Sequence, residues 1–120
     1  MLLSTLQSIE LKKILIPTLS EEKISELMGF LVHYKSEMWI YPGVLKRRFG
    51  LSTKVTYELM NKLSEQGLVK AYYELCCGHC HKSSGEVYET INQIPETFYC
   101  ELCEDELGSL ENAIIIYKVI

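Results

Sequence analysis

Apolar residues recur at helical intervals over the first half of the chain and switch to alternation near residue 69. Leu2, Leu3, Leu6, Ile9, Leu11, Ile14 and Ile16 predict a helix over 2–16, ended by Pro17. Ser20 is a natural N-cap for a second helix, with Glu21 and Glu22 in its positive first turn. Ile24, Leu27, Met28, Leu31 and Val32 form its stripe. A short extended piece, 37–41, leads to Pro42 at a first helical position. Val44, Leu45 and Phe49 mark a short helix stopped by Gly50. Ser52 then caps a longer one with Val55, Leu59, Met60 and Leu63 on its apolar face, and Gly67 stops it.

From there the period falls to two. Val69, Ala71, Tyr73 and Leu75 alternate with Lys70, Tyr72 and Glu74, which predicts a half-buried strand. Ser83–Ser84–Gly85 reads as a turn, 86–89 as a short strand, and 90–94 as one helical turn before Pro95. Residues 113–120 are nearly all apolar and β-branched, the pattern of a buried strand. Short helix, glycine turn, longer helix, glycine, strand is the order of a helix-turn-helix with a wing. A wing needs two strands, and 113–120 is a candidate antiparallel partner for 68–75. The intervening segment would then elaborate the wing tip.

That segment carries two Cys-x-x-Cys pairs, Cys77/Cys80 and Cys100/Cys103, nineteen residues apart. The spacing is that of a four-thiolate zinc site. Four protein ligands leave no open position for water or substrate, so one structural Zn²⁺ is expected, without metal catalysis. The fifth cysteine makes an odd count that fits a disulfide framework poorly. Cys76 is expected to be a partly buried non-ligand, and His79 and His81 to be bystanders. His33 reads as structural. Trp39 and Tyr41 read as core or interface anchors, and Tyr72, Tyr73 and Tyr88 as packing rather than a stacking platform.

Length and charge refine this picture. A chain of 120 residues that is 48% hydrophobic supports a modest core, and small modules often need a staple. The net charge of −4 is uneven: 1–19 and 20–75 each carry +1, and 76–120 carries −6. An acidic metal half is poorly matched to phosphates and suits a protein-facing or solvated surface. No apolar run reaches membrane-spanning length and no signal peptide opens the chain, so the expected compartment is the cytoplasm.

The segment VLKRRFGLSTKVTYELMNKLSEQGLV, residues 44–69, resembles the core of winged helix-turn-helix proteins. With Cys77-Gly-His-Cys80 and Cys100-Glu-Leu-Cys103, the chain resembles the winged-helix plus zinc-ribbon arrangement of the N-terminal part of transcription initiation factor E. Small prokaryotic winged-helix/zinc-ribbon proteins share the design. The resemblance implies an α+β fold with a small β zinc ribbon, and a division into 1–75 and 76–120. It implies zinc ligation by Cys77, Cys80, Cys100 and Cys103, and a recognition helix over 53–66.

Candidate nucleic-acid contacts are Lys46, Arg47, Arg48, Lys54, Asn61 and Lys62, although Glu58 and Glu65 on the same helix oppose a polyanion. The leading expectation is a non-enzymatic, DNA-linked regulator. The alternative is a protein–protein adaptor in a multicomponent prokaryotic assembly such as a defence complex. DNA or a protein is the expected partner, with no membrane and no small-molecule substrate. The first helix is apolar around much of its girth, so a homodimer through residues 2–16 is the preferred cover.

Overall fold

The computed structural model describes Met1 and residues 3–120; Leu2, placed above in the first helix, lies outside them. The fold is α+β. In chain order it runs α1 (Thr5–Leu15), α2 (Glu21–Val32), β1 (Trp39–Ile40), α3 (Pro42–Phe49), α4 (Thr53–Glu65), β2 (Val69–Cys76), β3 (Ser83–Tyr88), β4 (Thr97–Cys100), β5 (Asp105–Gly108) and β6 (Ala113–Val119). Single 3-10 turns at Ile91–Gln93 and Leu110–Asn112 complete the path. Residues 1–70 with 117–120 make one compact unit, and 71–116 make another.

The first unit is built by its caps and stripes. Ser4 opens α1 with a reciprocal capping box to Gln7, so the helix begins later than its apolar pattern suggested. Only Leu11 and Leu15 of α1 are fully buried, against α4 and α2, while Leu6 and Ile16 are 70% and 63% exposed. In α2 the buried stripe is Ile24, Leu27 and Leu31; of the other expected members Met28 is half-buried and Val32 exposed, as is the C-cap His33. Val32 and His33 sit at the helix end, where the stripe has rotated past the core.

Gly50 takes φ 64° at the C-cap of α3, a conformation that costs other residues about 1–2 kcal/mol. Ser52 then accepts the Val55 N–H and starts α4. Helix α4 buries Thr56, Leu59, Met60 and Leu63. Each fully buried leucine contributes about 1.5–3 kcal/mol.

The strands form a four-stranded sheet in the order β1-β6-β2-β3 and a separate β4-β5 pair. β1 meets β6 antiparallel, Ile40 opposite Tyr117. β2 meets β3 antiparallel, Tyr73 opposite Tyr88, with an irregularity between Glu74 and Cys76. β2 and β6 are neighbours. The Ile120 N–H donates to Leu68 O at one end, and Asn112 lies against Gly78 at the other. The two strands therefore run antiparallel, and the cysteine segment leaves and re-enters between them.

Three local expectations are corrected. Ser83–Gly85 belongs to β3 rather than to a turn, with Gly85 at φ 83°. β6 is only part buried: Ile116, Tyr117 and Val119 are inside and Ile114 is 39% exposed. Glu74, assigned to the polar face of β2, is buried. Its carboxylate lies beside the Cys76 thiol, which gives the charge a donor. No helix among the described residues is long and apolar enough to cross a membrane.

Candidate metal centre

Two chain turns and two strand ends bring the four expected ligands together. Cys77 follows β2 and is buried; Cys100 ends β4 and is buried; Cys103 is half-buried and Cys80 exposed. Their sulfurs all lie within 4.8 Å of one another, with Cys77–Cys103 at 3.7 Å and Cys80–Cys100 at 3.5 Å. A disulfide needs about 2.05 Å, and all five cysteines are free thiols. Four sulfurs bound at about 2.3 Å to one tetrahedral ion stand about 3.8 Å apart. The two short edges, 3.7 and 3.5 Å, are near that length, so the donor set fits a four-thiolate ion.

The first turn is tightly bonded, and each turn holds one residue in an unfavourable backbone conformation. The Cys77 N–H donates to Lys82 O at 2.9 Å, and the His81 N–H donates to Cys77 O at 2.8 Å. The residue directly after each pair is left-handed, His81 at φ 63° and Glu104 at φ 52°. Neither is a glycine, so each turn carries strain that a shared ion would offset.

Electrostatics separate the sulfurs. Backbone N–H groups of Cys80 and His79 point at Cys77 and hold its thiol down to about 6, against the opposing effect of burial. Hydrogen bonding with Cys77 and Cys80 pushes Cys103 up to about 12. A bare cluster cannot hold four negative charges, so protons stay until a cation displaces them. Cys76 stands apart: burial first, then Glu74, pushes it up to about 11, and it makes no part of the four-sulfur group. His79 and His81 also lie outside that group and are exposed.

Of the six expected nucleic-acid contacts, Lys46, Arg47, Arg48, Lys54 and Asn61 are exposed and Lys62 is half-buried, and four of them have partners within the chain. Lys46 Nζ donates to Thr53 Oγ1 at 2.7 Å, and the Arg48 guanidinium lies 4.6 Å from the Phe30 ring centre. Lys62 is held by Glu65 at 3.1 Å and Glu10 at 3.3 Å, which raises its pKa. Lys54 pairs with Glu58 at 3.9 Å, while Arg47 and Asn61 are exposed. The outer face of α4 therefore alternates Lys54, Glu58, Asn61 and Glu65, with no excess of positive charge.

Sequence reasoning did not find Gly78 and Asn112, whose contact joins the first cysteine turn to the start of β6. Glycine inside a Cys-x-x-Cys turn was the only visible signal, and nothing marked the asparagine. Comparison with protein-family profiles, with curated proteins and with solved structures gives no match in any of the three.

Proposed function

We propose that this chain is a zinc-stabilised winged-helix module that works by binding, with a protein as its partner. One observation carries the zinc reading. Residues 71–116 bury only two aliphatic side chains, Leu75 and Ile116, alongside the thiols of Cys77 and Cys100. So little apolar burial does not order a segment of that size, whereas a closed tetrahedral ion does. Four thiolates on Zn²⁺ carry about −2 and complete the zinc's coordination, which suits a structural ion. The succession α3, left-handed Gly50, α4, then adjacent β2 and β6 supports the winged-helix reading.

The paired charges of α4 and the acidic 76–120 segment favour a protein partner over a polyanion. Exposed Leu6 and Ile9 on α1 also support self-association through residues 2–16. The DNA-linked reading rests on the Lys46–Arg47–Arg48 run at the end of α3 and on exposed Lys54.

Elemental analysis of the metal-replete chain is expected to give about one zinc per molecule. Fluorescence anisotropy with duplex DNA, at about 50 and 200 mM salt, is expected to show no steeply salt-dependent binding. A steep loss of affinity between the two would assign the module to DNA instead. A zinc content near zero would remove the metal reading altogether.

A further inference from the structure

Gly78 and Asn112 are distant in sequence and pressed together in space. A Cβ on Gly78 would stand 2.7 Å from Asn112 Oδ1. Gly78 is not among the glycines with positive φ, so glycine is needed there for room and not for backbone freedom. The other end of the same carboxamide is also engaged: Asn112 Nδ2 donates to the Gly108 carbonyl oxygen at 2.7 Å. The Asn112 backbone N–H donates to Ser109 O at 3.2 Å, and the Ser109 N–H donates to Glu96 O at 3.0 Å.

Gly108 ends β5 opposite Thr97 of β4, and β4 runs directly to Cys100. One side chain therefore spans the turn that carries Cys77 and Cys80 and the hairpin that carries Cys100 and Cys103. Its side-chain hydrogen bond goes to the Gly108 backbone, and it is not one of the four clustered groups.

We propose that Asn112 is a positioning residue for the metal centre. Its carboxamide fixes the separation of the two thiol pairs as the segment closes around the ion. This rests on the zinc reading above. An ion that must draw two independent pairs together bears the ordering cost, and a clamp between them removes part of it. Outer contacts of this kind shift metal affinity roughly 10- to 100-fold.

The test uses the full chain and Zn²⁺ in competition with a chromophoric chelator, with Co²⁺ absorption as a readout of coordination geometry. Asn112→Ala is expected to weaken Zn²⁺ binding roughly 10- to 100-fold and to shift the Co²⁺ bands. Gly78→Ala is expected to weaken it as well, by forcing a methyl against Oδ1. The double variant is expected to bind no more weakly than Asn112→Ala alone, because the methyl enters the space that the carboxamide leaves.

Asn112→Asp keeps the shape, lacks the donor to Gly108, and is expected to lose affinity too. It carries the measurement if Asn112→Ala does not fold. Asn92→Ala, on an exposed turn, is the control and is expected to match the parent. If the parent binds one zinc and Asn112→Ala binds it equally well, the clamp is overturned and the zinc reading stands. Strictly additive losses in the double variant also overturn it. A parent that binds no zinc overturns the zinc reading itself.

Discussion

At the scale of single residues, the four-cysteine cluster depends on sulfurs held by short turns rather than on a packed core around them. Cys100 is one of the two buried thiols of the cluster, at the end of β4 with the Cys80 sulfur 3.5 Å away. Cys100→Ser replaces a soft thiolate by a hydroxyl that does not ionise at neutral pH, leaving three good donors. The expected outcome is loss of stoichiometric metal and of amide protection over 76–112, read by elemental analysis and hydrogen exchange. A variant that retained full metal and protection would show that the fourth ligand lies elsewhere. Cys76→Ser is the matched control. Its thiol faces Glu74, a serine hydroxyl can donate to the same carboxylate, and metal content is expected to be unchanged.

At the scale of elements, the two helices α3 and α4 are set by what ends one and starts the other. Ser52 satisfies the Val55 N–H at 3.1 Å, an orphan donor without it. Ser52→Ala is expected to cost about 1 kcal/mol, measured as a lower urea midpoint with unchanged slope. These elements were legible in the sequence because their signals are local: Ser20, Ser52, Gly50 and Gly67 each act through the neighbouring turn.

Other elements depended on distant partners and were not legible. β5, Asp105–Gly108, is polar enough to read as a solvated loop, and only its pairing with β4 makes it a strand. Ser83–Gly85 carries turn chemistry, yet β2 draws it into β3. Ile114 is as apolar as Ile116, and only the packing decides which of them is buried. The four clustered cysteines were readable from spacing alone, whereas Glu74 and Asn112 act through contacts that no spacing encodes.

At the scale of the molecule, burial is unevenly shared. The unit formed by 1–70 and 117–120 holds most of the fully buried aliphatic side chains, and 71–116 holds two. Stability should divide the same way. Chelation at neutral pH is expected to remove hydrogen-exchange protection from 71–116 while the helical circular dichroism of α1–α4 persists. Acid should act in the same direction. The proposed zinc would displace protons from the thiols, so falling pH favours the protonated, metal-free state, and release is expected to grow as the pH drops. A zinc-sensitive dye reports that release directly. Loss of helical signal in step with the zinc would mean that the two units do not melt separately.

The cysteine segment departs from β2 and returns into the adjacent β6, its two ends near enough for Gly78 to touch Asn112. Such a layout behaves as a detachable cassette. Whatever is spliced between those neighbouring ribbons, whether a tight reverse turn or a longer ornament, inherits the same pair of anchorage points. Exchange at that one position would remove β3 and keep the β1-β6-β2 order.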